Sequence, residues 1–323
     1  MATNATGENL LQDAAPNIRR PRYRPQCPLL WRGPDRLQIG EGTHHVILTE
    51  VDAGMAGWLL RLDGLRTLDE VAADLPIPVT DATRLLQACL KAGAVEDAAA
   101  MPDAWRWADL ATRDAARGDH QAAASTYGSS HLADLAIDRR SGVRWWVRGN
   151  GFLSEQVRMT LALAGLPLAR TTSAATVIVL ADSIHPVGFE DPAIPIPHLP
   201  IGVYGDRAIV GPMVVPNETS CLQCAYLHTR DADPQWPSLS LQLHRSISSL
   251  ECQPIDRLHA LLAAAQAALL IRCWADAPGG RTWRNRAIEI RLPEGTRTEH
   301  ERPWHPLCSC RWDARASATA FFG

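Results

Sequence analysis

Apolar positions along this chain fall into three regimes. Across residues 28–97 they come in short bursts separated by turn residues. Leu29-Leu30-Trp31 and Leu37-Gln38-Ile39 read as strands joined by Gly33-Pro34-Asp35, and Gly40-Glu41-Gly42 leads into a third strand, His44–Thr49. Three helical segments follow. Ala53–Leu62 is stopped by Asp63-Gly64. The second opens at Thr67, an N-cap with Glu70 as its capping-box partner, and ends before Pro76. The third runs from Thr80 to Gly93, with Leu85, Leu86 and Leu90 at helical spacing, so one face packs on the strands.

Residues 98–141 are Ala-rich with Trp105, Trp107 and Leu110, then turn polar around Gly118–Ser130; this predicts a helical connector followed by a loosely ordered crossing. Residues 142–323 alternate strand and helix patterns. Strands are predicted at Val143–Val147, Thr176–Leu180, Leu199–Tyr204, Ala208–Val215 and Ala287–Leu292, with helices at Leu153–Ala164, Leu239–Leu250 and Ile255–Trp274. The expected fold class is α/β, with a small N-terminal winged-helix unit at 27–98 and an α/β domain at 142–323. Residues 1–26 are polar and carry Arg19, Arg20, Arg22 and Arg24 among prolines. They read as a flexible tail, or as a basic arm able to meet an acidic partner.

Composition narrows the function classes. A net charge of −3 gives no basic balance toward nucleic acid. Met1–Pro16 lacks the apolar core of a secretory signal. The most apolar stretch, Leu258–Trp274, is interrupted by His259, Gln266 and Arg272 and reads as a buried helix rather than a membrane span. Eight cysteines with paired spacing and no export signal point to a reducing cytoplasm.

The chemistry-bearing signal is in those pairs. Cys221 and Cys224 (C-L-Q-C) follow the turn-forming Pro216-Asn217-Glu218-Thr219-Ser220, where a loop is expected to enter a helix. Cys308 and Cys310 (C-S-C) follow Pro306-Leu307. Two tight thiolate pairs are the pattern of a closed, tetrahedral, structural zinc site. A disulfide or four unrelated buried thiols are the alternatives, and His305 is a candidate to replace one thiolate. Cys27, Cys89, Cys252 and Cys273 are scattered and read as packing residues.

A second motif is weaker. Strand–Gly149-x-Gly151–helix is the skeleton of a nucleotide-binding turn, but Ser154 replaces the third glycine and no acid stands near position 170. Glu155, Arg158 and Asp182 are the nearby charged candidates, each equally well read as surface. ATP is therefore not expected as a cofactor. No nucleophile elbow, zincin motif or P-loop occurs, Asp191, Asp231 and Asp233 do not pair into an acid/base set, and no catalytic residue is assigned.

Val210-Gly211-Pro212-Met213-Val214-Val215-Pro216, C-L-Q-C, Arg230-Asp231-Ala232-Asp233-Pro234-Gln235-Trp236-Pro237 and His305-Pro306-Leu307-Cys308-Ser309-Cys310 together resemble ThiF-like (ubiquitin-activating-enzyme-like) proteins. These are the leader-peptide-binding, cyclodehydratase-partner proteins of azole- and azoline-forming ribosomal peptide pathways. Trp31–Gly40 and Leu62-Asp63-Gly64 resemble their peptide-recognition winged helix. The resemblance spans residues 28–320 and implies a degenerate Rossmann-like ThiF-type domain holding the zinc. It also implies a non-catalytic adaptor that takes a leader peptide as an added strand and presents it to a YcaO-type enzyme. Carried onto this chain, the groove comprises His45, Val46, Ile47, Leu48 and Thr49 on the third strand and Arg84, Leu85 and Ala88 on the third helix. Self-association into a homodimer is left open. The competing readings are an adenylating enzyme that activates a peptide carboxylate, and a winged-helix regulator, whose third helix carries only Arg84 and Lys91 for duplex phosphates.

Overall fold

A computed structural model describes residues 10–24, 27–41, 45–100, 102–105, 108–128, 130–181, 194–248, 255–276 and 284–311. The chain divides into two compact units, Met1–Asp138 and Arg139–Gly323.

In the first unit, strands β2 (Leu29–Trp31), β3 (Arg36–Ile39) and β4 (Val46–Thr49) form an antiparallel sheet in the order β2-β3-β4. Period-2 alternation sends Leu37, Ile39, Val46 and Leu48 inward and leaves Ile47 outward, opposite Gln38. Helices α1 (Ala53–Leu60), α2 (Leu68–Ala73) and α3 (Val79–Lys91) cover the inner face. The capping box at Thr67 forms: Glu70 N–H donates to the Thr67 hydroxyl, and Glu70 Oε2 accepts from Thr67 N–H at 2.7 Å. Helix α3 starts at Val79, behind Pro78 as its N-cap.

For residues 10–24, the part of the 1–26 segment among the described residues, the flexible-tail reading is corrected. Residues 10–14 form a helical turn, and Leu11 is fully buried in the same core as Leu37, Leu59 and Leu85. Strand β1 (Pro21–Tyr23) pairs antiparallel with β5 (Val95–Asp97). The arginines have an acidic partner within their own chain: Glu96 accepts from Arg22 Nε at 2.7 Å and from Arg24 Nε at 2.9 Å, and Asp97 accepts from Arg20 N–H at 2.8 Å. The loose crossing at 118–130 is also corrected. Helix α4 (Leu110–Tyr127) passes through Gly118, ends on Gly128 in the left-handed region, and is followed by α5 (Ser130–Gly142).

The second unit is built on a six-stranded sheet in the order β11-β10-β9-β8-β7-β6. β6 (Trp145–Arg148), β7 (Val177–Ala181) and β8 (His198–Tyr204) are parallel; β9 (Arg207–Val210), β10 (Arg286–Arg291) and β11 (Thr296–Glu301) extend the sheet antiparallel. Strand β11 has no counterpart among the predicted elements. Helix α6 (Phe152–Leu163) follows the glycine turn. Two helices, α7 (Leu222–Ala232) and α8 (Trp236–Ser248), precede α9 (Arg257–Asp276).

Helix α9 is the one described helix long and apolar enough to cross a bilayer, and half of its apolar window is buried. Its buried face is alanine: Ala260, Ala263, Ala264, Ala267 and Ala268 bring the helix backbone close to the sheet. Arg140 and Asp276, both buried, form an ion pair at its end.

Two substitutions test whether the N-terminal segment belongs to the core. Leu11→Ala is expected to cost about 2–5 kcal/mol. Glu96→Ala, which leaves buried Arg24 without its carboxylate, is expected to cost about 3–5 kcal/mol. Denaturant unfolding followed in the isolated 1–138 unit reads both. Midpoints equal to the wild type would restore the flexible tail.

Candidate metal centre

Helix α7 brings the first cysteine pair together through its own geometry. Cys221 is the N-cap and Cys224 lies one turn in, so both thiols face the same side. The stripe continues at helical spacing with His228 and Asp231. The approach to the helix is fixed by a tight turn: the backbone N–H groups of Glu218 and Thr219 both donate to Val215 C=O at 3.0 Å, and Asn217 adopts φ +65°. Asn285 then acts as a clip. Its side-chain oxygen accepts from Ser220 N–H at 2.7 Å, and its carbonyl accepts from Arg302 N–H at 2.6 Å. The second cysteine segment is thereby brought against the first.

The four sulfurs lie within 4.8 Å of one another. Cys221 and Cys308 are 3.6 Å apart, Cys224 and Cys310 3.5 Å, and Cys221 and Cys224 3.9 Å. Thiolates held about 2.3 Å from a tetrahedral ion stand about 3.8 Å from each other, so the set fits a closed metal site without rearrangement. A disulfide, whose sulfurs are bonded at about 2.05 Å, does not describe these distances. The surroundings are apolar: Tyr226, Leu227 and Trp236 pack on the thiols.

Thiols this close influence one another's protons. The hydrogen bond from Cys221 pulls the Cys224 thiol down to about 4, and the same contact pushes Cys221 up. Burial raises Cys310 to about 12. A cation at the centre removes the conflict by stabilising all four thiolates together.

His305, the alternative ligand, is placed beside the cluster and not in it. Its Nε2 lies 2.8 Å from Asp231 Oδ2, and its Nδ1 accepts from Leu307 N–H at 3.1 Å. Both ring nitrogens are engaged, which leaves the four sulfurs as the candidate donor set. Sequence reasoning missed the roles of His228 and Asp231; their signal was the spacing of four and seven residues from Cys224 along one helix face.

The other candidate residues lie elsewhere. β4 is the outer strand of its sheet among the described residues. His45, Ile47 and Thr49 are exposed, while Val46 and Leu48 are half-buried toward the core shared with α3. Arg84 donates to the carbonyls of Thr49 at 2.9 Å and Glu50 at 3.0 Å, tying α3 to the end of β4. Leu85 is fully buried and Ala88 nearly so; Leu85 is a core residue and presents no surface to a ligand. Gly149 and Gly151 adopt φ +134° and +110° between β6 and α6, as a glycine turn requires. Arg158 donates back into this turn, to Gly149 C=O at 2.9 Å and Val147 C=O at 3.3 Å. Asp182, Asp191 and Cys252 lie outside the described residues.

Comparison with solved structures places this architecture. A heterocyclase in complex with substrate and cofactor superposes with a TM-score of 0.59 at 15% identity, covering 91% of this chain and 39% of that one. The heterocyclase TruD gives 0.60 at 17%, covering 90% and 42%. E. coli MccB with ATP gives 0.56 at 14%, covering 90% of this chain and 99% of MccB. The chain shares the α/β fold of these heterocyclase and MccB structures. It spans about two fifths of the heterocyclase chains and nearly all of MccB. No family model matches the sequence, and no curated protein does either.

Loss of one sulfur opens the cluster. Cys308→Ser and Cys310→Ser are each expected to abolish tight metal binding and to lower the melting temperature of the second unit, as a chelator does to the wild type. A structural ion contributes about 10 kcal/mol or more. Acidification protonates the thiolates, so metal is held near neutral pH and released as pH falls. Differential scanning calorimetry with metal analysis measures both; a melting temperature indifferent to chelator would refute the site.

Proposed function

We propose that this chain is a leader-peptide-binding partner protein of ribosomal peptide biosynthesis, with the cysteine cluster holding a structural zinc ion. In this reading the first unit is a winged-helix peptide-recognition domain. An extended leader peptide adds as a strand to the free edge of β4, beside α3, and the ThiF-like unit presents it to a separately encoded YcaO-type cyclodehydratase. The position of β4 carries this reading: among the described residues it is, like β2, an edge of its sheet, and it is the edge that packs beside α3, where it offers backbone groups to a fourth strand. Alternate residues of a docked peptide would meet the half-buried Val46 and Leu48 on one side and Ile47, 43% exposed, on the other. Leu30, 43% exposed and across the sheet from Gln38, extends that outer apolar row.

The likeness to heterocyclases supports the pathway. Those chains carry more than half their length beyond the part matched here, and in this proposal the missing part is the partner enzyme. The zinc has no open coordination position and does no chemistry; it keeps the second unit rigid for docking.

A second reading has its own observation. MccB with ATP matches over nearly its whole chain, and Gly149 and Gly151 keep the backbone of a phosphate-binding turn. An adenylating enzyme would follow, activating a peptide carboxylate. Against it, Arg158 is committed to the turn's own carbonyls.

Fluorescence anisotropy with labelled leader peptides from precursor genes neighbouring this one tests the first reading. Proline placed in turn at Val46, Ile47 and Leu48 is expected to leave the unit folded at positions whose N–H faces away from β3, and there to weaken binding by about tenfold or more. Failure of every neighbouring leader to bind the zinc-loaded chain would end the adaptor reading. Peptide-dependent pyrophosphate exchange with magnesium-ATP would establish the second reading in its place.

A further inference from the structure

Beside the cysteine cluster, His305 engages its backbone carbonyl and both ring nitrogens. Its carbonyl accepts from Cys308 N–H at 3.1 Å, setting the turn that carries the second cysteine pair. Its Nδ1 accepts from Leu307 N–H, two residues on, so the imidazole does the work of an Asx turn. That bond requires Nδ1 to be unprotonated, which puts the ring proton on Nε2, where it donates to Asp231 Oδ2 at 2.8 Å. The residue is 3% exposed, and the His228 ring meets it edge-on at 4.7 Å between centroids. His228 is held in turn through Nε2 to Pro303 C=O at 3.1 Å. Pro306, directly after His305, keeps that residue's backbone extended, as the turn needs.

Asp231 lies on α7, on the same stripe as Cys221 and Cys224. The His305–Asp231 bond therefore connects the arm bearing Cys308 and Cys310 to the helix bearing the other pair, without touching the metal position. We infer that His305 is a positioning residue whose bond to Asp231 locks the second cysteine pair onto α7 and sets how slowly the bound metal escapes. The inference rests on the cluster holding a metal, and it assigns retention to one hydrogen bond outside the donor set. Asp231 is half exposed, and Arg230 also donates to it, to Oδ1 at 2.6 Å, leaving Oδ2 to the histidine.

The test uses the full zinc-loaded chain and follows zinc transfer to 4-(2-pyridylazo)resorcinol, together with the thiolate-to-cobalt charge-transfer spectrum of the cobalt(II)-substituted protein. His305→Ala is expected to release zinc about 10–100-fold faster and to shift the cobalt band. Asp231→Ala, a half-exposed position that leaves the core intact, is expected to accelerate release about tenfold with four-sulfur coordination retained. Asp231→Asn keeps an acceptor oxygen and should restore slow release. His305→Asn keeps the turn acceptor but not the reach to Asp231, and should match Asp231→Ala. Release from Asp231→Ala at the wild-type rate would overturn the inference even if His305→Ala proves unstable. Absence of bound metal from the wild type would instead refute the metal site itself.

Discussion

Four sulfur atoms from two distant segments come within 4.8 Å of one another, and through them the segment after β11 meets helix α7. The segment after β11 has little else to hold it. β11 is almost wholly exposed, Leu307 is 69% exposed, and among the described residues the one regular element beyond is a single 3₁₀ turn, Ser309–Arg311. Apolar burial in this arm is confined to the cluster around Cys308, and hydrogen bonds to Asn285, Asp231 and His228 aim it without supplying much net stability. Four thiolates alone would repel at these distances, so in the proposed zinc-bound form a cation would balance them and supply the remainder. Under that proposal, metal content and the position of the arm are one equilibrium.

The first unit answers a different constraint. Its sheet has three short strands, too few to be stable alone, and it gains a core by wrapping residues from both ends of its sequence around α1, α2 and α3. Leu11 and Tyr23 enter from the N-terminal side, Ala94 and Val95 from the other. Among the described residues the result leaves β4, like β2, as an edge of the sheet, while the helices consolidate its inner face. A stable scaffold with an available edge is what strand addition needs.

What was legible in the sequence was local. The C-L-Q-C and C-S-C pairs carry ligand chemistry in residue type and spacing, and the Thr67–Glu70 box is written within four residues. Leu85 was placed in the groove by the family resemblance alone; its helical spacing marked the face that packs on the strands, and its burial follows the spacing. The strand at Pro21–Tyr23 was hidden because its partner is distant, and four arginines among prolines resemble a solvated arm until Glu96 and Asp97 are set beside them. Gly118 suggested a break, but the alanines on either side outweigh the roughly 1 kcal/mol that one glycine costs a helix. β11, Thr-Arg-Thr-Glu-His-Glu, has no apolar face to announce it; its ladder with β10 is the whole reason it is a strand. His305 was recognised as belonging to the metal region, and only the geometry of its two ring nitrogens separated a ligand from a brace.

The β1–β5 pair also has a consequence in time. Arg22 and Glu96 are 74 residues apart in sequence, so the first strand leaves the ribosome well before its partner exists. At about 5–20 residues per second, that interval is on the order of 4–15 s. Throughout it, Leu11 and Tyr23 have no core to enter, and the arginines face solvent. The β1–β5 pair is therefore a long-range contact that cannot form stepwise from the N-terminus. A nascent chain stalled before Val95 is an unprotected chain, and such a delay favours chaperone engagement at its leading end.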